Sequence, residues 1–254
     1  MRAKSTNENK PPAHSVPLRP MDAPCSPRLD NARTWLAVIP MHAYQHDFIA
    51  LAHRAGVLRF GSFTLKSGRQ SPYFFNLGQI ATGAGLARLG AAYAACIEAS
   101  GVSFDMLFGP AYKGIPLATT TAIALAERHG RDMPLAYNRK ETKDHGEGGM
   151  IVGAPLAGRA LVIDDVLTAG TAVRESLALI RAHGATPAGV VIALDRQERG
   201  AGERSAAQEL AHEHHVPVLA IAGLSEVMDY ADTQPDLAVF SAELAAYRAR
   251  YGVA

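Results

Sequence analysis

Only two cysteines, Cys25 and Cys96, occur in 254 residues. Two thiols cannot build a disulfide scaffold, and their scarcity fits a reducing compartment, so a cytoplasmic location is expected. A dominant charge sign is also missing. Lys and Arg number 25 against 24 Asp and Glu, a formal net charge of +1. Such a chain has no overall field to draw in nucleic acid or an anionic membrane, so neither is expected as a partner. No uninterrupted apolar run approaches the ~20 residues that cross a bilayer. What is plentiful is apolar material, 48% of the chain, enough for a sizeable core in one domain of ordinary size plus extras.

The first forty residues lack something else. "MRAKSTNENKPPAHSVPLRPMDAPCSPRLDN" is rich in Pro, Ser, Asn and Arg and almost free of aliphatic periodicity. It cannot bury enough apolar area to offset its ordering entropy, so residues 1–42 are expected to form a disordered extension and 43–254 the folded domain. The stretch has no apolar h-region, which argues against a secretory signal, and no amphipathic helix, which a transit peptide would need. Met41 is an alternative start for the folded part.

From residue 43 the pattern changes. "YQHDFIALAHRAG" spaces its apolar residues as a helix does and ends on Gly. Residues 57–78 alternate and are cut by Gly, Ser and Pro, as short strands and turns are. Helices are expected near 83–100, 115–129 and 171–183, and strands near 104–108, 135–138, 161–163 and 189–194. The charged "ERSAAQELAHEHH" predicts a helix, "VPVLAIAGL" a strand, and one or two helices close the chain. Between 139 and 149 runs "RKETKDHGEGG", with no apolar periodicity and three glycines, which predicts a loop. Strands alternating with helices indicate an α/β fold: a mostly parallel central sheet with helices on both faces.

One stretch stands apart. In "LVIDDVLTAGTA" an apolar run typical of a central parallel strand ends in Asp164 and Asp165. In open α/β sheets, ligands sit beyond the carboxyl ends of the strands. The small residues that follow let backbone N–H groups converge, and a helix starting near Thr171 adds its positive end, so together they can cradle a phosphate. The carboxylates can accept from vicinal hydroxyls, as on a ribose, or touch a Mg²⁺ hydration shell. A phosphorylated sugar satisfies both halves. The competing use of these aspartates, as helix caps, accounts for one of them but poorly for two in a row. In "GPAYKG" a second strand-to-helix loop offers amides and Lys113 to a diphosphate. Arg196 in "DRQERG" follows an apolar strand at the same sheet edge, and its planar guanidinium matches a carboxylate with two parallel bonds.

"LVIDDVLTAGTA" resembles the phosphoribosyl-diphosphate motif of type I phosphoribosyltransferases. Together with "FTLKSGRQSPYFFN", "GPAYKGIPLA", "NRKETKDHGEGG" and "DRQERG", in that order, the chain from about Tyr44 onward is similar to the orotate phosphoribosyltransferase family. The resemblance implies a small hood, built largely from the N-terminal part of the domain, added to the sheet. It implies a pentosyltransferase that makes orotidine 5′-monophosphate from orotate and phosphoribosyl diphosphate in pyrimidine biosynthesis. Magnesium would be the cofactor, carried mainly by the diphosphate and water rather than by dedicated protein ligands.

By the same resemblance Lys66, Tyr112, Lys113, Arg139, Lys140, Lys143 and His145 contact phosphoribosyl diphosphate, together with Asp164, Asp165, Val166, Leu167, Thr168, Ala169, Gly170, Thr171 and Ala172. Phe74, Phe75, Thr168 and Arg196 contact orotate, and Lys143, His145, Asp164 and Asp165 carry the catalysis. The glycine-hinged segment after Arg139 would be a lid reaching the neighbouring subunit of a homodimer, which would also keep water from a reactive sugar cation. Absent the resemblance, Lys66 and the 139–149 charges would be read as surface cations and Phe74 and Phe75 as core aromatics. A phosphoribosyltransferase for another base would keep the aspartate motif but has no need of Arg196. A non-catalytic sensor of phosphoribosyl diphosphate would want a basic nucleic-acid surface, which the charge balance does not offer. An added decarboxylase barrel of ~250 residues has no room in this length. "GAGLARLG" is not a proper dinucleotide fingerprint, and "HEHH" lies on a charged helix without a partner cluster.

Overall fold

The computed structural model describes residues 41–65, 68–143, 149–167, 170–200 and 202–253, so most of the expected N-terminal extension lies outside the described residues. Helix α1 (Ala43–Arg54) opens with a reciprocal cap, in which the His42 N–H donates to Gln45 Oε1 at 2.9 Å. Strands β1 (Leu58–Thr64) and β2 (Gln70–Phe75) pair as an antiparallel hairpin. Helix α2 (Gly83–Ser100) starts at Thr82, whose hydroxyl accepts from Gly85 N. It stops at Gly101, φ +66°, a left-handed turn that glycine enters without strain.

Then follow β3 (Met106–Gly109), α3 (Gly114–His129), β4 (Leu135–Lys143), β5 (Gly149–Gly153), β6 (Arg159–Ile163), α4 (Thr171–Ala182) and β7 (Thr186–Asp195). Helix α5 (Ala206–His214), strand β8 (Val218–Gly223) and helices α6 (Leu224–Thr233) and α7 (Ser241–Tyr251) complete the chain.

Six strands form one sheet in the order β5-β4-β3-β6-β7-β8, parallel throughout except that β5 runs antiparallel to β4. The period-two rule sorts the core. Leu107, Leu161, Ile163 and Val191 share one apolar cluster with α1, α2 and α3, while Phe108, Val162, Val190 and Ile192 share another with α4 and α5. Helices thus cover both faces, as the alternating pattern predicts.

Two departures from the sequence expectation concern β4 and β5. The polar run from Arg139 is not a loop as far as Lys143, because it continues β4, and "GMIVG" is a strand that the apolar pattern did not reveal. These strands form the edge of the sheet, and β4 carries its polar residues past the buried rungs, where pairing no longer demands apolar side chains. The hood also differs slightly from expectation, since the N-terminal hairpin is joined by the C-terminal end. Tyr73 of β2 meets Tyr247 of α7 edge-on at 6.1 Å, and Phe60 of β1 stacks on Phe240 at 5.9 Å.

Chain order creates the opening for a ligand. Helix α3 leaves β3 and returns to β4 on one side. On the other side β3 pairs with β6, whose helix α4 crosses the opposite face to β7. Between β3 and β6 the winding reverses, and at such a switch point the loops beyond the strand ends diverge and leave a crevice.

Candidate active site

The crevice is a cavity of about 420 Å³ walled by the two diverging loops. The β3–α3 loop contributes Pro110 to Lys113, the β6–α4 segment contributes Asp164 to Leu167 with Gly170 to Val173, and Lys140 comes from β4. A second cavity of about 620 Å³ adjoins it and shares Pro110, Ala111, Lys140, Thr171 and Ala172, adding Arg139 and the flank of α4.

Asp164 and Asp165 extend the sheet's own ladder. Asp164 N donates to Val191 O at 3.0 Å, and Asp165 O accepts from Ala193 N at 2.8 Å. Among the described residues they are the only buried carboxylates, 8% and 7% exposed. Neither caps α4, whose N-cap is Gly170 with φ +69°. Their side chains instead shape the turn: Asp164 Oδ1 accepts from Asp165 N at 2.9 Å, and Asp165 Oδ1 from Val166 N at 2.8 Å. Each then has a second oxygen in hand. Lys113 Nζ holds Asp165 Oδ2 at 2.5 Å, an ion pair spanning the crevice from one loop to the other. Exposed Lys113 retains two further protons for an anion.

Burial pushes the Asp164 carboxyl up to about 6, the neighbouring Asp165 charge adds to this, and the amide of Asp165 and Lys113 pull the other way. A carboxyl raised above its ordinary 3.8 stabilises the fold below pH 4, and that contribution is lost as pH rises through 6. Without substrate, Asp164→Asn is therefore expected to raise stability at pH 7–8 by on the order of 1–3 kcal/mol and to leave it unchanged near pH 4. Urea unfolding of both proteins across that range checks the sign, and equal stability at pH 8 would contradict it.

Two side chains that sequence patterns passed over hold this arrangement. Tyr93, fully buried on α2, donates its hydroxyl to Asp164 O at 2.7 Å. Burial drives its phenol well above its usual range, so it stays a neutral donor. Asn138 of β4 accepts from Ala111 N at 3.0 Å and donates to Arg139 O at 3.2 Å, tying the β3–α3 loop to the strand that brings the cations. The Ala111–Tyr112 peptide in that loop is cis. A helical residue such as Tyr93 has no local mark of such a role, whereas Asn138, a polar residue at the end of an apolar strand, carried a signal that could have been read.

The cations arrive by a break in strand register. Asn138 pairs with Ile151 but Lys143 pairs with Gly149, so β4 spends five steps where β5 spends two. The surplus residues bulge, and bulges re-aim side chains. Lys140 consequently turns toward the crevice, its Nζ 4.9 Å from the centre of the exposed Tyr112 ring. Arg139 lines the adjoining cavity and donates to Gly149 O at 3.2 Å.

Comparison with known proteins agrees in sequence and in shape. Residues 76–214 match the model of the phosphoribosyl transferase domain. An orotate phosphoribosyltransferase of Thioalkalivibrio sulfidiphilus is 61% identical over 213 residues, 84% of this chain and 100% of that protein. One from Saccharophagus degradans is 62% identical over the same shares. The chain belongs to the orotate phosphoribosyltransferase family. The crystal structure of the Francisella tularensis orotate phosphoribosyltransferase, 42% identical, superposes with a TM-score of 0.73 over 81% of this chain and 98% of that one.

Of the residues that the orotate phosphoribosyltransferase resemblance singled out, the first crevice gathers Tyr112, Lys113, Lys140, Asp164, Asp165, Val166, Leu167, Gly170, Thr171 and Ala172, with Arg139 next door. Lys66, His145, Thr168, Ala169 and the side chain of Lys143 lie outside the described residues. Phe74, Phe75 and Arg196 line neither cavity. Phe75 leans on Phe48 in the core at 6.4 Å, and Phe74 pairs with Phe63 at 5.6 Å under the Arg59 guanidinium. Arg196 lies one residue beyond β7, at the same sheet edge as the aspartates. Among the described residues no three His, Cys, Asp or Glu side chains converge as a metal site would require, and no helix is long and apolar enough to cross a membrane.

Proposed function

We propose that this chain transfers the ribose 5-phosphate group of phosphoribosyl diphosphate to N1 of orotate, giving orotidine 5′-monophosphate and diphosphate, and that the crevice residues divide the work as follows. Asp164 and Asp165 take the ribose hydroxyls. The amides from Thr168 to Ala172, at the positive end of α4, take the 5-phosphate. Tyr112, Lys113, Arg139, Lys140 and Lys66 face the diphosphate, joined by Lys143 and His145 from the lid of a partner subunit in a homodimer. Orotate lies against Phe74 and Phe75 with Thr168, and its carboxylate meets Arg196. The catalytic unit spans 43–254.

The observation that carries this assignment is the buried aspartate pair at the switch point, spent on no helix cap and bridged by Lys113 to the opposite loop. As the C1–O bond breaks, its electron pair goes to the diphosphate and positive charge grows on the ribose. N1 of orotate forms the new bond to C1, and its proton passes to the departing diphosphate or to solvent. Little covalent chemistry falls to the protein, so its contribution is positioning and fixed charge. Mg²⁺ carried by the diphosphate would keep several waters, and the hard oxygens of Asp164 and Asp165 suit contact with that hydration shell. Bound with the diphosphate, Mg²⁺ supplies charge neutralisation to the leaving group.

The test is loss of orotate absorbance on mixing the protein with orotate, phosphoribosyl diphosphate and Mg²⁺. Turnover is expected with orotate and not with hypoxanthine or uracil. Turnover with hypoxanthine alone would reassign the base, and none with any base would leave a binding protein.

A further inference from the structure

Arg196 sits in a cluster that no part of the phosphoribosyl diphosphate crevice explains. Its Nε donates to Glu198 Oε1 at 2.8 Å, and its Nη2 lies 2.6 Å from the same oxygen. That second approach is not aligned as a hydrogen bond, so the buried Nη2 has no directed acceptor among the described residues. The guanidinium also lies over the Tyr73 ring, 4.8 Å from its centre. Its side-on edge is thus taken by Glu198 and its plane is set by Tyr73, so the direction of the guanidinium is fixed from two sides.

Glu198 is itself held by three side chains, two of them on named elements. Tyr73 of β2 donates to Oε1 at 3.2 Å, Tyr247 of α7 donates to the same oxygen at 2.9 Å, and Arg69 approaches Oε2 at 3.5 Å. Its side chain is only 12% exposed. The charge balance matters as much as the geometry. One carboxylate against Arg196 alone would leave a neutral pair with little pull on an anion. Arg69 adds a second cation beside Glu198.

We propose that Glu198 is a positioning residue for base selection: it fixes the orientation in which the Arg196 guanidinium meets the orotate carboxylate. This rests on the assignment of Arg196 to orotate made above. The hood thereby reports to the base site, because two of the groups that hold Glu198 belong to the hairpin strand and the C-terminal helix.

Steady-state kinetics of Glu198→Gln, Arg196→Ala and the double variant test it, with thermal unfolding to confirm that each is folded. Glu198→Gln keeps the volume and drops the charge. It is expected to raise the KM for orotate on the order of 10-fold while the KM for phosphoribosyl diphosphate and kcat change less than about twofold. Added to Arg196→Ala, it should cause little further loss, since it acts through that residue. A merely structural role would lower the melting temperature and disturb both substrates alike. Should Glu198→Gln fail to fold, Glu198→Asp, charged but one methylene shorter, is expected to show the same selective rise. If Arg196→Ala raises the orotate KM and neither Glu198 variant does, or if the losses simply add, the positioning role is overturned alone. If Arg196→Ala leaves the orotate KM unchanged, the placement of orotate on Arg196 falls, and the role of Glu198 with it.

Discussion

Lys143→Ala is expected to cut turnover on the order of 10²-fold or more, the usual loss for one preorganised electrostatic donor, while the KM for orotate changes little. Lys143 closes β4, paired with Gly149 beyond the bulge that delivers Arg139 and Lys140. On the proposed assignment Lys143 serves the leaving diphosphate rather than the base, so the loss should fall on kcat and on kcat/KM for phosphoribosyl diphosphate together. Initial rates over a grid of both substrate concentrations separate the terms. Equal weakening of kcat and of orotate affinity would count against an action confined to the transition state.

A comparable loss is expected from Gly114→Ala, for a different reason. A Cβ at Gly114 would stand 2.5 Å from Pro110 Cδ and 2.8 Å from Ile163 O. Neither neighbour is a flexible side-chain end: one is a proline ring, the other the main chain directly before Asp164. The added methyl must push the β3–α3 loop away from β6. Overpacking of this kind costs roughly 1–3 kcal/mol or more, and a ~1 Å misplacement of binding groups can cost 10²-fold in rate. The Lys113–Asp165 contact is the first to suffer. Melting temperature and kcat/KM for phosphoribosyl diphosphate should therefore both fall, whereas a variant of wild-type rate would mean that the two loops can separate without harm.

The helices and most of the parallel strands were legible because their apolar periods are long and clean: α2 and α4 fall within a residue of the expected spans, and β6 is apolar from Ala160 to Ile163. The outer half of β4 was not, since a strand end rich in Lys and Glu satisfies its backbone without apolar residues, and β5 was missed because its apolar run is only Met150 to Val152 between glycines. The aspartate pair and Lys113 were visible as local motifs. Their ion pair was not, because it joins positions 52 residues apart. The same holds for Tyr93 and Glu198. Each looks ordinary beside its sequence neighbours, one a core aromatic on a helix and the other a charged residue after a strand. Only the fold brings the first under Asp164 and the second against Tyr73 and Tyr247.

The backbone of Asp164 and Asp165 is bonded into β7 on one side and stapled from below by Tyr93. The acids consequently sit in the hydrogen-bonded middle of the sheet, while Arg139 and Lys140 come from a bulge in the hairpin at its edge. On the proposed assignment that division works like an anvil and a hammer: the sugar is seated on the sheet's centre, and the leaving group is met from its rim.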